Sequence, residues 1–200
     1  AANTMTAAAL TATNVQPTSL TAGAVGNVTV SFTTANPLPA DGKILVTFGS
    51  GFAFDSGAAT AASSATMNGT FAVGIAGQTV TLTRSGGAQQ NAGEAETIIL
   101  TNIKNPVISG STGTYTIKTT TNGNVDIDQD AAVAADTITV ATLSGTNVQP
   151  ASLQVSATGN VAVSFTTSNP IPADGKIKIT FPNRLGAGFD IAGVALGDSS

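Results

Sequence analysis

The stretch Asn27-Val-Thr-Val-Ser-Phe-Thr-Thr34 decides the fold that we expect for this chain of 200 residues. Apolar and polar side chains alternate along it, so Val28, Val30 and Phe32 share one face of an extended strand. The polar residues between them share the other face. This pattern is typical of a β-strand with one face in a core and the other in water.

A second alternating segment, Lys43-Ile-Leu-Val-Thr-Phe48, follows a short way along the chain. Its residues Ile44, Val46 and Phe48 are expected to point inward. The connection contains Pro37, Pro39 and the pair Asp41-Gly42, which are turn formers because Pro restricts φ and Gly accepts a left-handed backbone. A turn is therefore expected between the two strands.

Further short strands follow at intervals of about 8–12 residues, separated by turns rich in Gly and Asn. No segment shows a convincing helical period. This spacing predicts an all-β fold, an antiparallel β-sandwich with a real core. The remaining predicted strands are Phe71–Ile75, Thr79–Arg84, Glu96–Ile103, Thr114–Thr120 and Thr137–Leu143.

The opening stretch of the chain occurs twice. Residues 1–48 and 134–181 align without a gap, and 32 of those 48 positions are identical. Self-similarity at a fixed period is typical of modular and array proteins. We therefore predict three parts: an N-terminal strand at 1–10, equivalent to the last strand of a repeat, a first β-sandwich at 11–143, and the first half of a second β-sandwich at 144–200.

The N-terminal strand has no preceding sandwich to complete. It either pairs locally or adds to the sheet of another molecule, as in recognition by strand addition. Residues 144–200 would leave bare strand edges, which recruit strands from other chains. The chain is thus an excerpt of a longer repetitive protein, or it is completed by a neighbouring copy, and both can hold. The residues of the candidate donor strand are Thr4, Met5, Thr6, Ala7 and Leu10.

Composition excludes several classes of protein. Apolar residues make up 42% of the chain, so a core is available and disorder is not expected, while only 9% of residues are charged. The net charge of −4 argues against a nucleic-acid partner. There is no apolar run of membrane-spanning length. A first residue other than Met is expected of a processed secretory precursor and also of a trimmed excerpt.

The chain has few residues of the types that usually carry catalysis or bind metals. The chain has no Cys and no His, so it lacks thiolates, disulfides and the commonest general base and metal ligand. Glu94 and Glu96 stand two apart before a strand and do not suggest an opposed catalytic pair. Asp41 and Asp174 are expected to be turn formers. We predict no enzyme activity, no cofactor and no resident metal.

The segment Asp126-Ile-Asp128-Gln-Asp130 places three carboxylates at alternate positions, as at the start of a calcium loop. The Gly expected at the sixth position is Ala131, and the Glu expected at the twelfth is Thr137. Alternation predicts instead that Val125 and Ile127 face the core while the acids face water and discourage edge pairing. Calcium binding stays open at this point.

Two N-glycosylation sequons occur, at Asn27-Val-Thr29 and Asn68-Gly-Thr70. Asn27 lies on the strand face assigned to water. The position equivalent to Asn27 in the second copy, Asn160, has lost the sequon. Both sites are candidates for covalent glycans if the source is a secreting eukaryote or archaeon, and are otherwise ordinary surface residues.

The residues Asn102-Ile-Lys-Asn-Pro106, followed by Gly113-Thr-Tyr-Thr-Ile-Lys118, resemble a pattern in secreted surface proteins built from tandem immunoglobulin-like β-sandwiches. The resemblance implies an immunoglobulin-like fold and an extracellular setting, with surface layers, adhesins and fibres as typical roles. It carries over no catalytic residue. Chaperone–usher pilins are similar only in the logic of strand donation, since their disulfide is absent here.

We therefore expect a structural subunit of an extracellular filament or surface array that assembles with copies of itself by sheet completion. The alternative is a stalk or binding module of a longer surface adhesin whose ligand-binding tip lies elsewhere. A longer parent chain with a distinct terminal domain would favour the alternative. Filaments built from a polypeptide of this length would favour the first hypothesis.

Overall fold

The structure is a computed structural model that describes residues 6–182 and 188–190. In this part of the chain all the regular elements are β-strands, and no helix could cross a membrane. The prediction of an all-β fold is confirmed. The strands are β1 (Ala8–Ala9), β2 (Thr11–Pro17), β3 (Val25–Thr33), β4 (Lys43–Thr47), β5 (Ala62–Ser64), β6 (Thr70–Ala76), β7 (Thr79–Ser85), β8 (Ala95–Lys104), β9 (Gly110–Ser111), β10 (Tyr115–Thr120), β11 (Asp126–Val133), β12 (Thr137–Ile138), β13 (Ser144–Pro150) and β14 (Val161–Thr166).

Two larger sheets form a sandwich. One has the strand order β1-β11-β10-β4-β7-β6 and the other β2-β3-β8-β5. All pairings in them are antiparallel except that of β1 with β11. The inward residues of both sheets belong to one apolar cluster, so the sheets face each other across a shared core.

The alternating stretches behave as expected. Val28, Val30 and Phe32 of β3 are buried, and the residues between them are partly exposed. The inward residues of β4, Ile44 and Val46, are also buried, and so is Phe48 just beyond it. Since the side-chain period of a strand is two, this phase follows directly from the order of residues.

Aromatic side chains fill one part of the core. The rings of Phe48 and Tyr115 meet edge to face at 5.8 Å between centroids, and Phe52 and Phe54 pack against Phe48 at 5.1 and 5.4 Å. Edge-to-face contacts between aromatic rings stabilise beyond their area. Tyr115 is therefore a core residue. Its hydroxyl donates to Asp136 Oδ2 at 2.8 Å, and burial raises the pKa of this phenol.

The acidic segment corrects a sequence prediction. It forms strand β11, in which Asp128 is fully buried while Val125, just before the strand, is 65% exposed. The expectation that the apolar residues face the core and the acids face water is wrong for Val125 and Asp128, whereas Ile127 packs against the core and Asp126 is exposed, as expected. The pairing of β10 with β11 shifts register between Thr119 and Thr120, so the simple alternation does not hold across this segment.

Two smaller sheets complete the described elements. Strand β12 pairs with β9, and β13 pairs with β14 in a hairpin. The strand predicted at Thr137–Leu143 is shorter than expected and ends at Ile138, which is buried. By contacts the chain divides into residues 1–169, which hold all these strands, and residues 170–200. The described residues of the second unit form no strand but include a turn in which Gly175 N donates to Pro172 O at 2.8 Å.

Candidate assembly surface

The duplicated turn is held at its start by a buried carboxylate. Asp128 Oδ2 accepts hydrogen bonds from the backbone N atoms of Ala35 and Asn36, each at 3.0 Å. Asn36 Nδ2 donates to Asp128 Oδ1 at 2.8 Å. A carboxylate that accepts several N–H groups can remain inside a protein, because the hydrogen bonds replace those lost from water. Asp128 is therefore a structural clamp on this turn.

A buried guanidinium holds the middle of the same turn. Arg84 Nη1 donates to Pro39 O at 2.7 Å, and Nη2 donates to Ala88 O at 2.9 Å. Burial lowers the pKa of Arg84, and the negative charge of Glu96 opposes that effect. Burial also raises the pKa of Glu96, whose Oε2 has no hydrogen-bond partner. The two charged groups are thus enclosed near one another in the sandwich.

The three acids of the former calcium candidate take separate partners. Asp126 forms an ion pair with Lys118 at 2.9 Å, and Asp128 holds the turn described above. Asp130 Oδ2 accepts from Thr13 Oγ1 at 2.6 Å. Among residues 6–182 and 188–190, no three His, Cys, Asp or Glu side chains gather as a metal site.

The N-terminal segment pairs locally where it is described. Ala8 and Ala9 pair with Asp128 and Gln129 of β11, and Leu10 N donates to Gln129 O at 3.2 Å. The Leu10 side chain is 5% exposed and belongs to the core of its own sandwich. Thr6 is exposed and Ala7 is half-buried, while Thr4 and Met5 lie outside the described residues.

The loop at residues 18–24 contacts the start of the second copy. Thr139 N donates to Leu20 O at 2.7 Å, and Asn169 Nδ2 donates to Ala22 O at 3.0 Å. Gly23 has φ +69, and a Cβ atom there would overlap Asn169 Oδ1. Only glycine fits this backbone so close to Asn169. In the second copy Ser156, with φ +59, stands at the position of Gly23.

The hairpin β13–β14 repeats the register of β2–β3. Val15 pairs with Val30 and Val148 with Val163, at the same offset as the sequence duplication. Both hairpins shift register three residues into their first strand, beside a residue with positive φ, Ala12 or Gly145. Residues 144–166 therefore adopt the same hairpin as residues 11–33.

The apolar face of the second hairpin is only partly covered. Val15 of β2 is 0% exposed, while its equivalent Val148 is 45% exposed. The residues Val161, Val163 and Phe165 of β14 are half-buried, although their equivalents in β3 are all buried. Leu143 is 49% exposed, whereas its equivalent Leu10 lies in the core. The same side chains thus meet a second sheet in one copy, and in the other they are only partly covered by the described residues.

One edge of the second hairpin is also open. Strand β3 lies between β2 and β8, while β14 pairs only with β13 among the described strands. The free edge of β14 is therefore the edge that β3 uses to pair with β8. A strand edge without a partner is a template for pairing with another chain. The partly covered face and this open edge together form the candidate assembly surface.

The two sequons lie on the surface. Asn27 is exposed at the register shift between β3 and β8. Asn68 is exposed in the turn before β6, where its Oδ1 accepts from Ala88 N at 2.8 Å. Exposure makes both positions accessible to modification.

Sequence reasoning missed the buried clamps. Arg84 was expected only as the end of a strand, and Asp128 was expected to face water. The available signal was the close preservation of the turn Asn36–Lys43 at 169–176, where only Leu38 differs, as Ile171. A turn kept so closely indicates that other parts of the molecule hold it, but it does not say which residues do so.

Comparisons with known proteins add little. No protein-family model matches the chain. No curated protein sequence matches it either. Among solved structures, the chain is similar to a non-cellulosomal cohesin from the hyperthermophilic archaeon Archaeoglobus fulgidus, with 11% identity, a TM-score of 0.38, and coverage of 65% of this chain and 91% of that chain. This degree of similarity carries no argument about function.

Proposed function

We propose that this protein is a structural subunit of an extracellular filament or surface array, and that its copies assemble by completing the sheet of the β13–β14 hairpin. The observation that carries the proposal is the contrast between the two hairpins. They share one register, yet Val15 is buried and Val148 is 45% exposed. An apolar sheet face of this kind is stabilised when a second sheet packs on it.

The size of the expected stabilisation supports an assembly role. Full burial of a large apolar side chain contributes about 1.5–3 kcal/mol relative to exposure. Val148, Val161, Val163 and Phe165 are already partly buried, so each would contribute part of that amount. Several such contributions, with the hydrogen bonds of an added strand, would offset the entropy lost on association.

The composition of the surface agrees with this role. Only 9% of residues are charged, so Thr, Ser, Asn and Gly are expected to cover much of the exterior. We propose that the chain consists of immunoglobulin-like repeats, with the second repeat beginning at residue 144. We also propose covalent glycans on Asn27 and Asn68 at the cell surface. Expression in a glycosylating host, followed by mass analysis of the Asn27→Gln and Asn68→Gln variants, tests the glycan proposal.

The role of the N-terminal segment is revised accordingly. Ala8, Ala9 and Leu10 are occupied in their own sandwich, so this segment is not the strand that we propose to complete a neighbour. A donor role would require Leu10 to leave the core.

The test is assembly of the purified full chain. Negative-stain imaging and sedimentation should show filaments or large arrays. Val148→Asp places a charge on the apolar face of the second hairpin and should abolish assembly, while circular dichroism and urea unfolding of the first sandwich stay unchanged. The matched control is Asn147→Asp, one residue away on the exposed opposite face, which should assemble normally. Monomers of the unmodified chain at every concentration would contradict the proposal.

A further inference from the structure

Strand β6 is an unusually long and regular edge strand. Among the four outer strands of the two larger sheets, β1 has two residues and β5 has three. Strand β2 has seven residues but contains a register shift and ends at Pro17. Strand β6 has seven residues, Thr70–Ala76, and pairs with β7 without any register shift.

Proteins normally blunt a long edge strand with charge, proline or a bulge. The segment Thr70-Phe-Ala-Val-Gly-Ile-Ala76 has no charged residue and no proline. Its free side is therefore a template for a further strand.

Strand β14 has a matching edge that is unpaired among the described strands. It contains six residues, Val161-Ala-Val-Ser-Phe-Thr166, again without charge or proline. Its equivalent β3 accepts an antiparallel strand at this edge, and there apolar residues stand opposite one another, such as Val30 and Ile98. The partner of β14 should likewise alternate, with apolar residues opposite Val161, Val163 and Phe165.

We infer that β6 of one copy pairs antiparallel with β14 of a second copy. The inference rests on the proposed function and names the strand that completes the sheet. In the register that overlaps the two strands most fully, Phe71 stands opposite Phe165 and Ile75 opposite Val161, with Val73 and Val163 between them. Phe71 and Val73 already pack on the core of their own sandwich, so the apolar faces of the two strands coincide.

The directions in which the backbone N–H and C=O groups of β6 and β14 point agree with this register. The loop between β6 and β7 is the two-residue pair Gly77-Gln78, so Ala76 and Thr79 form the first hydrogen-bonded pair and alternate residues back along β6 face β7. The backbone groups of Phe71, Val73 and Ile75 then point to the free edge. In the second hairpin Ala151 N donates to Asn160 O, so the groups of Val161, Val163 and Phe165 point outward by the same alternation. Residues that stand opposite each other can thus exchange hydrogen bonds.

The use of two different edges determines how the assembly grows. Strands β6 and β14 are different surfaces of one chain, so the contact is heterologous, and a pair of copies retains one free β14 on the first copy and one free β6 on the second. Head-to-tail contacts of this kind generate open filaments unless the rotation closes a ring.

The test uses the absence of cysteine from the chain. In the inferred register Ala72 and Ser164 form a non-hydrogen-bonded pair on the outer face, with Cα atoms about 4.5 Å apart. That separation lies within the range of about 4.4–6.8 Å that a disulfide bridges. The double variant Ala72→Cys/Ser164→Cys, oxidised with glutathione disulfide, should give a ladder of reducible oligomers on non-reducing electrophoresis. The control Ala72→Cys/Asn147→Cys carries its second thiol on β13, away from the free edge, and should give no ladder.

Several outcomes overturn the inference. Dimers formed by Ala72→Cys alone would indicate pairing of β6 with itself. A monomer with one internal disulfide by intact mass would show that the two positions meet within a single chain. Filaments of the double variant without a ladder would exclude this pairing and leave sheet completion standing. Absence of filaments from the unmodified chain would instead remove the proposed function.

Discussion

Asp128 and Asn36 are joined by two hydrogen bonds although 92 positions separate them in the chain. Asn36 Nδ2 donates to Asp128 Oδ1 at 2.8 Å, and Asn36 N donates to Oδ2 at 3.0 Å. Asp128 belongs to β11 in one sheet, and Asn36 follows β3 of the other sheet. The pair therefore connects the two layers of the sandwich at the start of the duplicated turn.

Replacement of Asp128 by Asn should destabilise the sandwich. The amide supplies one acceptor where the carboxylate supplies two, so a donor on Ala35 or Asn36 loses its partner inside the protein. A buried donor without a partner costs about 1–3 kcal/mol, and we expect the free energy of unfolding in urea to fall by that amount. The control Asp126→Asn breaks only the surface pair with Lys118 and should cost about 0–1 kcal/mol. Equal effects of the two variants would contradict the clamp role.

Replacement of Arg84 by Lys should also destabilise the fold. The guanidinium binds Pro39 O and Ala88 O through different nitrogen atoms, and a single ammonium group cannot reproduce that fork. We expect a loss of about 1–3 kcal/mol in the free energy of unfolding, from carbonyl groups left unpaired. Lys118→Met, which removes the exposed pair with Asp126, is the control and should change stability by less than about 1 kcal/mol. A neutral Arg84→Lys variant would show that this turn is held by other contacts.

The pH dependence of stability should carry a contribution from Glu96. Burial raises the pKa of this carboxyl, the hydrogen bond from the Thr66 side chain lowers it, Glu94 raises it and Arg84 lowers it, with burial the largest effect. A group with a raised pKa binds its proton more tightly in the folded state. Its contribution to stability is therefore complete below the unfolded pKa and is lost as the pH rises through the folded pKa.

Glu96→Gln removes the ionisable group, so the variant does not lose stability as the pH rises through the folded pKa of Glu96. Its free energy of unfolding, relative to that of the unmodified protein, should therefore rise from acid toward neutral pH. Urea unfolding across this range measures the difference. Glu94→Gln, two residues away and half-exposed, keeps the buried carboxyl of Glu96 but removes one charge that raises its pKa, so it should weaken the pH dependence without abolishing it. A difference between Glu96→Gln and the unmodified protein that is constant with pH would contradict the role of burial.

Replacement of Gly23 by Ala should weaken the contact of the 18–24 loop with Asn169. The new Cβ would overlap Asn169 Oδ1, and the backbone at φ +69 is unfavourable for alanine. We expect a loss of about 1 kcal/mol or more and faster hydrogen exchange in the β13–β14 hairpin. The double variant Gly23→Ala/Asn169→Ala should lose less than the sum of the single effects, because the overlap is relieved. Gly26→Ala is the control, since a Cβ at Gly26 meets no atom within 4 Å.

The local sequence pattern was sufficient to predict much of the fold. The alternation in β3 and β4 predicted which of their side chains enter the core, and Val30, Phe32, Ile44 and Val46 are all buried. The Pro and Gly residues between them predicted a turn, and Gly42 N donates to Pro39 O at 3.0 Å. These properties follow from the period of a strand and the φ preferences of Pro and Gly, which act over a few neighbouring residues.

The candidate assembly surface was predictable only in part. The duplication showed that residues 144–166 would repeat the first hairpin, and the register of β13–β14 agrees. The local pairing of Ala8 and Ala9 with β11 was one of two alternatives that the sequence left open. The free edge of β6 could not be predicted, because strand order within a sheet depends on contacts far apart in the chain.

The chain's own order of residues determined the strand faces, the turns and the repetition of one hairpin, since each depends on near neighbours. Only the tertiary structure decided which charged side chains are buried. Charged side chains such as Asp128 and Arg84 would be expected to face water, yet both are buried, because Asp128 accepts from Ala35 N and Asn36 N and Arg84 Nη1 donates to Pro39 O. Such partners are supplied by the packing of two sheets, and no local pattern records them.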